Sequence, residues 1–304
     1  MRISTNTMYQ SGIAKINAIQ LEQKTLQEKI ATGKRIATPA DDPVGAARAL
    51  ELSHAQRVNT KFADSRKVAQ TKLNTIEANL TGVTNLLVAA QSNLVAAGNG
   101  ALANQDRAMI ATDLNSSLQA LIGIANSKDA YGNYLYAGYQ TTTQPFVATA
   151  SGASYQGDTG EQLIQVDSHR QIEVSISGDK IFQADGNDVF SNLSSLVTLL
   201  NSPITDPASQ TTYTSSLASA ISNLQSTIDN IVNVRASVGG KLNELDALDN
   251  AGVDRDFQYS QSLSELQDAD YTSVLSDFAK QQTIIEAAQK SFVTMAGLSL
   301  FKII

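Results

Sequence analysis

The chain has 304 residues, a formal net charge of −7, two histidines and no cysteine, and its charged fraction is 17% against roughly 25% in ordinary soluble domains. Disulfides, thiolate metal sites and cysteine nucleophiles are therefore excluded. Nucleic acid is disfavoured too, because phosphate contacts need a concentrated basic face and Lys34-Arg35 is only a pair. Length and apolar content allow two or three domains. The N-terminal MRISTNTMYQSG has no apolar core, so no secretory signal is expected, and no run is expected to cross a bilayer. Such a chain stays in the cytosol or leaves by a route that reads no cleavable signal.

Residues 1–12 are polar and without strong period. A helix is predicted over Ile13–Ile36, with Ile13, Ile16, Ile19, Leu26 and Ile30 apolar and Gln23 interrupting the seam. Gly33 and Ala37-Thr38-Pro39-Ala40 end it. Asp42 then caps a second helix whose first residue is Pro43. From Phe62 to Ala97 its apolar residues step by three and four: Ala69, Leu73, Ile76, Leu80, Val83, Leu87, Ala90, Leu94. That heptad is a coiled-coil seam, on the order of 50 Å long, with Arg66 its only charge. Gly98-Asn99-Gly100 stops it. A third helix is predicted from about Asn104, as cap, to about Asp129.

Character changes at YGNYLYAGYQTTTQPF, which holds four of the nine tyrosines. Period-two alternation at Ile164 and Val166, then Ile172, Val174 and Ile176, signals a hairpin, and Gly178-Asp179 a further turn. Residues 141–185 thus read as a β-rich insertion, followed by a short helix over Val189–Leu200. Asp206-Pro207 opens the second long arm, whose seam is Leu217, Ile221, Leu224, Ile228, Ile231, Val238, Leu242 and Leu245, with Arg235 and Asp249 as polar members. Gly239-Gly240 lies off that seam and should not stop the helix. Gly252 and DRDFQYSQ are expected to mark a joint. The last helix carries Val274, Phe278, Ile285, Ala288, Phe292 and Met295, then the apolar tail with Leu298, Leu300, Phe301, Ile303 and Ile304.

The fold class expected is mainly α: long antiparallel coiled-coil helices from both ends of the chain around a small inserted β-rich domain. Neither terminal segment can bury its stripe alone, so each should pair with the other and then with copies of itself, as in a tubular polymer. A monomeric bundle with folded-back ends is the competing arrangement. Of the motifs with chemical possibilities, Asp41-Asp42 is explained by a helix start rather than acid–base work. Asp185–Asp188 lacks the calcium-loop spacing, and Gly157–Gly160 lacks the lysine of a phosphate loop. The tyrosines from Tyr131 to Tyr139 suit packing more than carbohydrate binding. His54 and His169 are isolated. No catalytic site, metal or cofactor is expected.

Several blocks carry a resemblance. MRISTNTMYQSG, LQEKIATGKRI, PADDPVGAARALEL and the C-terminal DADYTSVLSDFAKQQTIIEAAQKSFVTMAGLSLFKII are similar to the two ends of the flagellin superfamily of bacterial flagella. YGNYLYAGYQTTTQPF, YQGDTGEQLIQV with ISGDKIF, and VRASVGGKLNELDAL resemble its hook–filament junction branch, which separates the chain from a short filament flagellin. A translocator or tip protein of a virulence secretion system would lack the PADDP and YLYAGY blocks. The resemblance implies three parts: 1–42 with 260–304 as a terminal coiled-coil domain lining an axial tube, 43–140 with 204–259 as a helical rod, and 141–203 as an outward β-rich domain. It implies export through the flagellar type III apparatus without a cleaved signal, with a cytosolic export chaperone holding the C-terminal helix. It also implies a ring of copies, outside the cell, between hook-associated protein 1 and flagellin, with no membrane insertion.

Overall fold

The computed structural model describes residues 5–300 in backbone and 7–294 in side chain, residue 185 apart. Among these are seven helices and two two-stranded antiparallel sheets, in the order α1 (Thr5–Thr32), α2 (Pro43–Ala97), α3 (Asn104–Ala125), β1 (Phe146–Thr149), β2 (Gly152–Tyr155), β3 (Leu163–Asp167), β4 (Arg170–Glu173), α4 (Gly178–Phe182), α5 (Val189–Asn201), α6 (Pro207–Gln267) and α7 (Tyr271–Leu300). The chain forms two compact units, Met1–Thr60 with Val253–Ile304, and Lys61–Gly252.

The Lys61–Gly252 unit is built on the two long seams. Ala69, Leu73, Ile76, Leu80, Val83, Leu87, Ala90 and Leu94 of α2 are fully enclosed, and Leu224, Ile231, Val238 and Leu245 of α6 lie in the same apolar core. Each such Leu or Ile contributes about 1.5–3 kcal/mol. Cross-helix polar pairs fix an antiparallel register: Gln91 Nε2 donates to Gln225 Oε1 (2.7 Å), Arg235 Nη2 to Glu77 Oε1 (2.7 Å) and Gln70 Nε2 to Asp246 Oδ1 (2.7 Å). Polar positions off the α2 seam need few charges, because Thr71, Thr75 and Thr84 return their hydroxyls to the carbonyl one turn back. One window of α2 reaches a mean hydropathy of 1.2 over 18 residues, which corrects the expectation that no stretch passes the length and composition test for a bilayer span. A third of that window is buried, along the seam, while Val88 and Val95 of the same helix are exposed.

At the Lys61 end of this core sits a buried cation. Arg66 is 1% exposed; its Nε donates to Asp249 Oδ1 (3.0 Å) and its Nη1 to the Val166 carbonyl of β3 (3.2 Å). Gly252 permits this, since a β-carbon there would collide with the guanidinium. The joint expected at Gly252 is not a break in the helix, since α6 runs unbroken to Gln267, but the division between the two compact units falls there. Glycine in this helix provides close approach, not a stop.

The hairpin β3–β4 forms where it was predicted, with Ile164 opposite Ile172 and an irregular register between Gln165 and Asp167, but β4 ends at Glu173, short of Val174 and Ile176. It is tied to α6 by Lys241–Glu173 (2.8 Å) and by Arg170 Nη2 to Glu244 Oε2 (2.8 Å). A second hairpin, β1–β2, pairs Phe146 with Tyr155 and was not foreseen. Its strands are four residues long and rich in Ala, Ser and Thr, so no alternation marks them. The turn expected at Gly178-Asp179 is instead the start of α4. Phe146, Phe182 and Phe190 form an aromatic cluster with ring centroids 4.9–5.5 Å apart, which joins the β1–β2 hairpin to α4 and α5. At the start of α3 the cap is Ala103, not Asn104; the Asp106 carboxylate accepts the Ala103 N–H (3.1 Å), and the helix ends at Ala125.

The other unit contains α1, α7, the first part of α2 and the last part of α6. Its α1 begins at Thr5, ahead of the start predicted at Ile13, because nothing there breaks a helix and Tyr9 and Gly12 face Phe292. It ends at Gly33, whose φ of +70° suits glycine. The connection to α2 is pinned to that between α6 and α7: Arg35 N–H donates to Gln267 O (2.6 Å), Ala269 N–H to Gly33 O (2.9 Å) and Arg35 Nη2 to Leu266 O (2.9 Å).

Candidate assembly interface

Apolar periodicity puts a stripe on each terminal helix, and the two stripes meet with opposite polarity. Phe292 of α7 covers Gly12 and meets Tyr9 edge to face at 5.2 Å. Gln281 Nε2 donates to Glu22 Oε2 (2.6 Å), and the Tyr271 hydroxyl donates to the Ile30 carbonyl (3.3 Å) beside Gly33. A β-carbon at Gly12 would strike the Phe292 ring at 2.8 Å, so glycine sets how closely the helices approach here.

This contact is thin. Ile16, Ile19, Leu26 and Ile30 of α1 and Phe278 and Phe292 of α7 are only half-buried, while Ile285 is buried at 9% exposed. Ile13, expected in the seam, is 49% exposed and lies on its flank. Leu21, Leu275, Ile284 and Val293 are exposed on other faces of the same pair. Sequence reasoning missed these four because a heptad rule assigns one apolar face per helix. Among the described residues, only Ile36, Ala49 and Ile285 of this unit are buried hydrophobics; the rest belong to Lys61–Gly252. Met295, Leu298 and Leu300 lie where side chains are outside the described residues, and Phe301, Ile303 and Ile304 are outside them altogether.

The remaining candidates are placed elsewhere. Leu73, Ile76, Leu80, Val83, Leu87, Leu224, Ile228 and Ile231 are buried within the other unit's own core, with Leu242 half-buried against it, and so are not free for a partner. Asp41 Oδ2 accepts the Ala37 and Thr38 N–H groups and the Thr38 hydroxyl; the Thr38 bonds hold its carboxyl below the usual range. Asp42 Oδ1 accepts the Gly45 N–H (2.9 Å) and Oδ2 faces Arg35, which lowers that carboxyl too. Both aspartates thus shape the entry to α2. Asp158 is held low by the Tyr139 and Gly160 amides and closes a turn. Of the tyrosines, Tyr136 is enclosed against Phe182, Tyr134 stacks under Lys128, Tyr139 donates to the Glu161 carbonyl, and Tyr131 is exposed. Among the described residues no three His, Asp or Glu side chains converge as metal ligands.

One unit has a finished helical core and the other a helix pair with bare apolar flanks, and the sequence places the chain in the class of flagellin-like structural subunits. The sequence pattern of the bacterial flagellin N-terminal helical region matches residues 3–141. Over 317 aligned residues the chain is 36% identical to flagellar hook-associated protein 3 of Escherichia coli and, equally, to that of Salmonella typhimurium, covering 100% of this chain and 99% of each relative. It belongs to the flagellar hook-associated protein 3 family, a structural component of the bacterial flagellum and not an enzyme family. Solved structures share the fold: a putative flagellar hook-associated protein from Vibrio parahaemolyticus (TM-score 0.69, 20% identity, 75% of this chain and 100% of that one) and the flagellar junction protein FlgL from Legionella pneumophila (TM-score 0.65, 17%, 73% and 100%).

Proposed function

We propose that the chain is the adaptor that joins the flagellar hook, through hook-associated protein 1, to the flagellin filament, and that filament growth and motility depend on it. The observation that carries this reading is the contrast between its two units: one is closed around a continuous core, while the other leaves Leu21, Ile284 and Val293 exposed on a half-buried helix pair. Isolated amphipathic pairs are marginal in water, so these helices gain their full burial among neighbouring copies. Copies form a ring outside the cell, with the terminal segments 1–42 and 260–304 lining its axis, 43–140 and 204–259 as the rod, and 141–203 facing outward. Before export through the type III apparatus, a cytosolic chaperone covers the α7 face and the tail from Leu298 to Ile304. The family membership supports the junction role, as does the name of the Legionella relative.

Deleting the gene tests this. The expected outcome is intact hooks by electron microscopy, few or no filaments, and flagellin monomer lost to the medium; filaments of normal number and length would overturn the assignment.

A further inference from the structure

We propose that the turn between α2 and α3 carries a self-modification site, in which Asn99 cyclises onto the Gly100 backbone and opens to isoaspartate and aspartate without an enzyme. Of the asparagines in the chain, Asn99 is the one followed by glycine. Both residues are exposed, and the space around Gly100 is open, with nothing within 4 Å of where a β-carbon would stand. The side chain is already folded over the next peptide: Asn99 Oδ1 accepts the Ala101 N–H at 3.1 Å. That bond restricts the side chain to the side of the Gly100 peptide, which reduces the conformational freedom lost when Cγ and the Gly100 nitrogen meet. The same Ala101 N–H polarises the side-chain carbonyl and stabilises the oxyanion that forms on attack.

The steps balance without oxidant or cofactor. Hydroxide removes the Gly100 amide proton, and the nitrogen forms a bond to Asn99 Cγ. The bond from Cγ to the side-chain nitrogen breaks, and ammonia leaves with a proton returned by water. Water then opens the five-membered imide at either carbonyl, giving aspartate or isoaspartate. The product places a new negative charge two residues past Ala97, where the carbonyl end of α2 is already negative. Isoaspartate also reroutes the main chain and displaces the Leu102 N–H from the Asn99 carbonyl (3.1 Å). Asn126, by contrast, is held away from this chemistry: both ends of its amide are bonded to the Phe146 backbone (2.8 and 2.9 Å), and it precedes serine.

The test is peptide mapping by mass spectrometry of the full chain, incubated at neutral and at mildly alkaline pH, beside Gly100→Ala and Asn99→Gln. Asn99 should convert before any other asparagine, faster at the higher pH, and mostly to isoaspartate. Gly100→Ala should slow it about tenfold, since the methyl group adds about 1.4 kcal/mol to the approach. Asn99→Gln should leave residue 99 unchanged. Conversion of another asparagine first, or an unchanged rate in Gly100→Ala, would overturn the proposal.

Discussion

Replacing Gly252 by alanine sets two effects of known sign against each other. In a helix interior the change alone stabilises by about 1 kcal/mol. Here the new methyl would meet the Arg66 guanidinium, whose Cζ would be 3.2 Å away. A surface arginine would swing aside, but Arg66 is 1% exposed and held by Asp249 and the Val166 carbonyl. Displacing it weakens two charge-assisted bonds of about 1.5–3 kcal/mol each. The Asp249 bond is discounted because that carboxylate is 46% exposed. The expected balance is a loss of about 2 kcal/mol, or about 1 M in the urea midpoint. Gly239→Ala and Gly240→Ala are the internal control: nothing lies within 4 Å of either added β-carbon, so each should gain about 0.5–1 kcal/mol. Urea unfolding followed by circular dichroism on all three variants reads the difference. If Gly252→Ala unfolds at or above the midpoint of the parent protein, the guanidinium is not fixed against α6 and the account of this end of the core is wrong.

Leu87→Ala, in the fully enclosed seam, should cost about 2–5 kcal/mol in the same assay, whereas Val88→Ala at the exposed neighbour should cost under about 0.5. Tyr213→Phe removes the hydroxyl that donates to the Ala97 carbonyl (2.8 Å) at the end of α2; the loss should be about 1 kcal/mol, with faster amide exchange in the last turn of α2 as its local signature. Acid should loosen the fold from its helix starts and salt links. Asp41, Asp42, Asp158, Asp206, Glu173 and Glu244 all have folded carboxyls held below their ordinary values of 3.8 and 4.5. A depressed carboxyl stabilises above its ordinary value and loses that stabilisation as pH falls from there through the lowered folded value, so thermal midpoints should be flat above pH 5 and drop below about 4.5. An unchanged midpoint at pH 3 would contradict this.

The long seams could be read before any coordinates because steps of three and four leave no other face for the nine consecutive apolar positions from Ala69 to Ala97. Their register could not: every heptad resembles the next, so only the polar exceptions distinguish one alignment from another. Arg66, Arg235 and Asp249 were visible as exceptions, and they turn out to pair as Arg66 with Asp249 and Arg235 with Glu77. Gly252 was read as punctuation because a glycine's neighbours across a fold are invisible in its local sequence. The β1–β2 hairpin stayed hidden for a related reason. Its order comes from Phe146 reaching the cluster of Phe182 and Phe190, not from any pattern in its own strands.

For the terminal helices the informative residues were those a seam rule discards. A two-helix contact can satisfy one face of each partner, and the seam residues from Ile16 to Ile30 and from Phe278 to Phe292 use that face up. Leu21, at 66% exposed, and Val293, at 69%, then have no role in the pair they flank. Scattered exposed apolar residues are ordinary on any surface. The distribution here is not scattered: the unit that has three buried hydrophobics among the described residues also exposes apolar residues on all four of its helical segments, at Leu21, Leu50, Phe257 and Ile284 among others. A single stripe would ask for one further neighbour. Apolar residues on several faces ask for neighbours on several sides, which favours the proposed packing among copies over a single partner laid along one face.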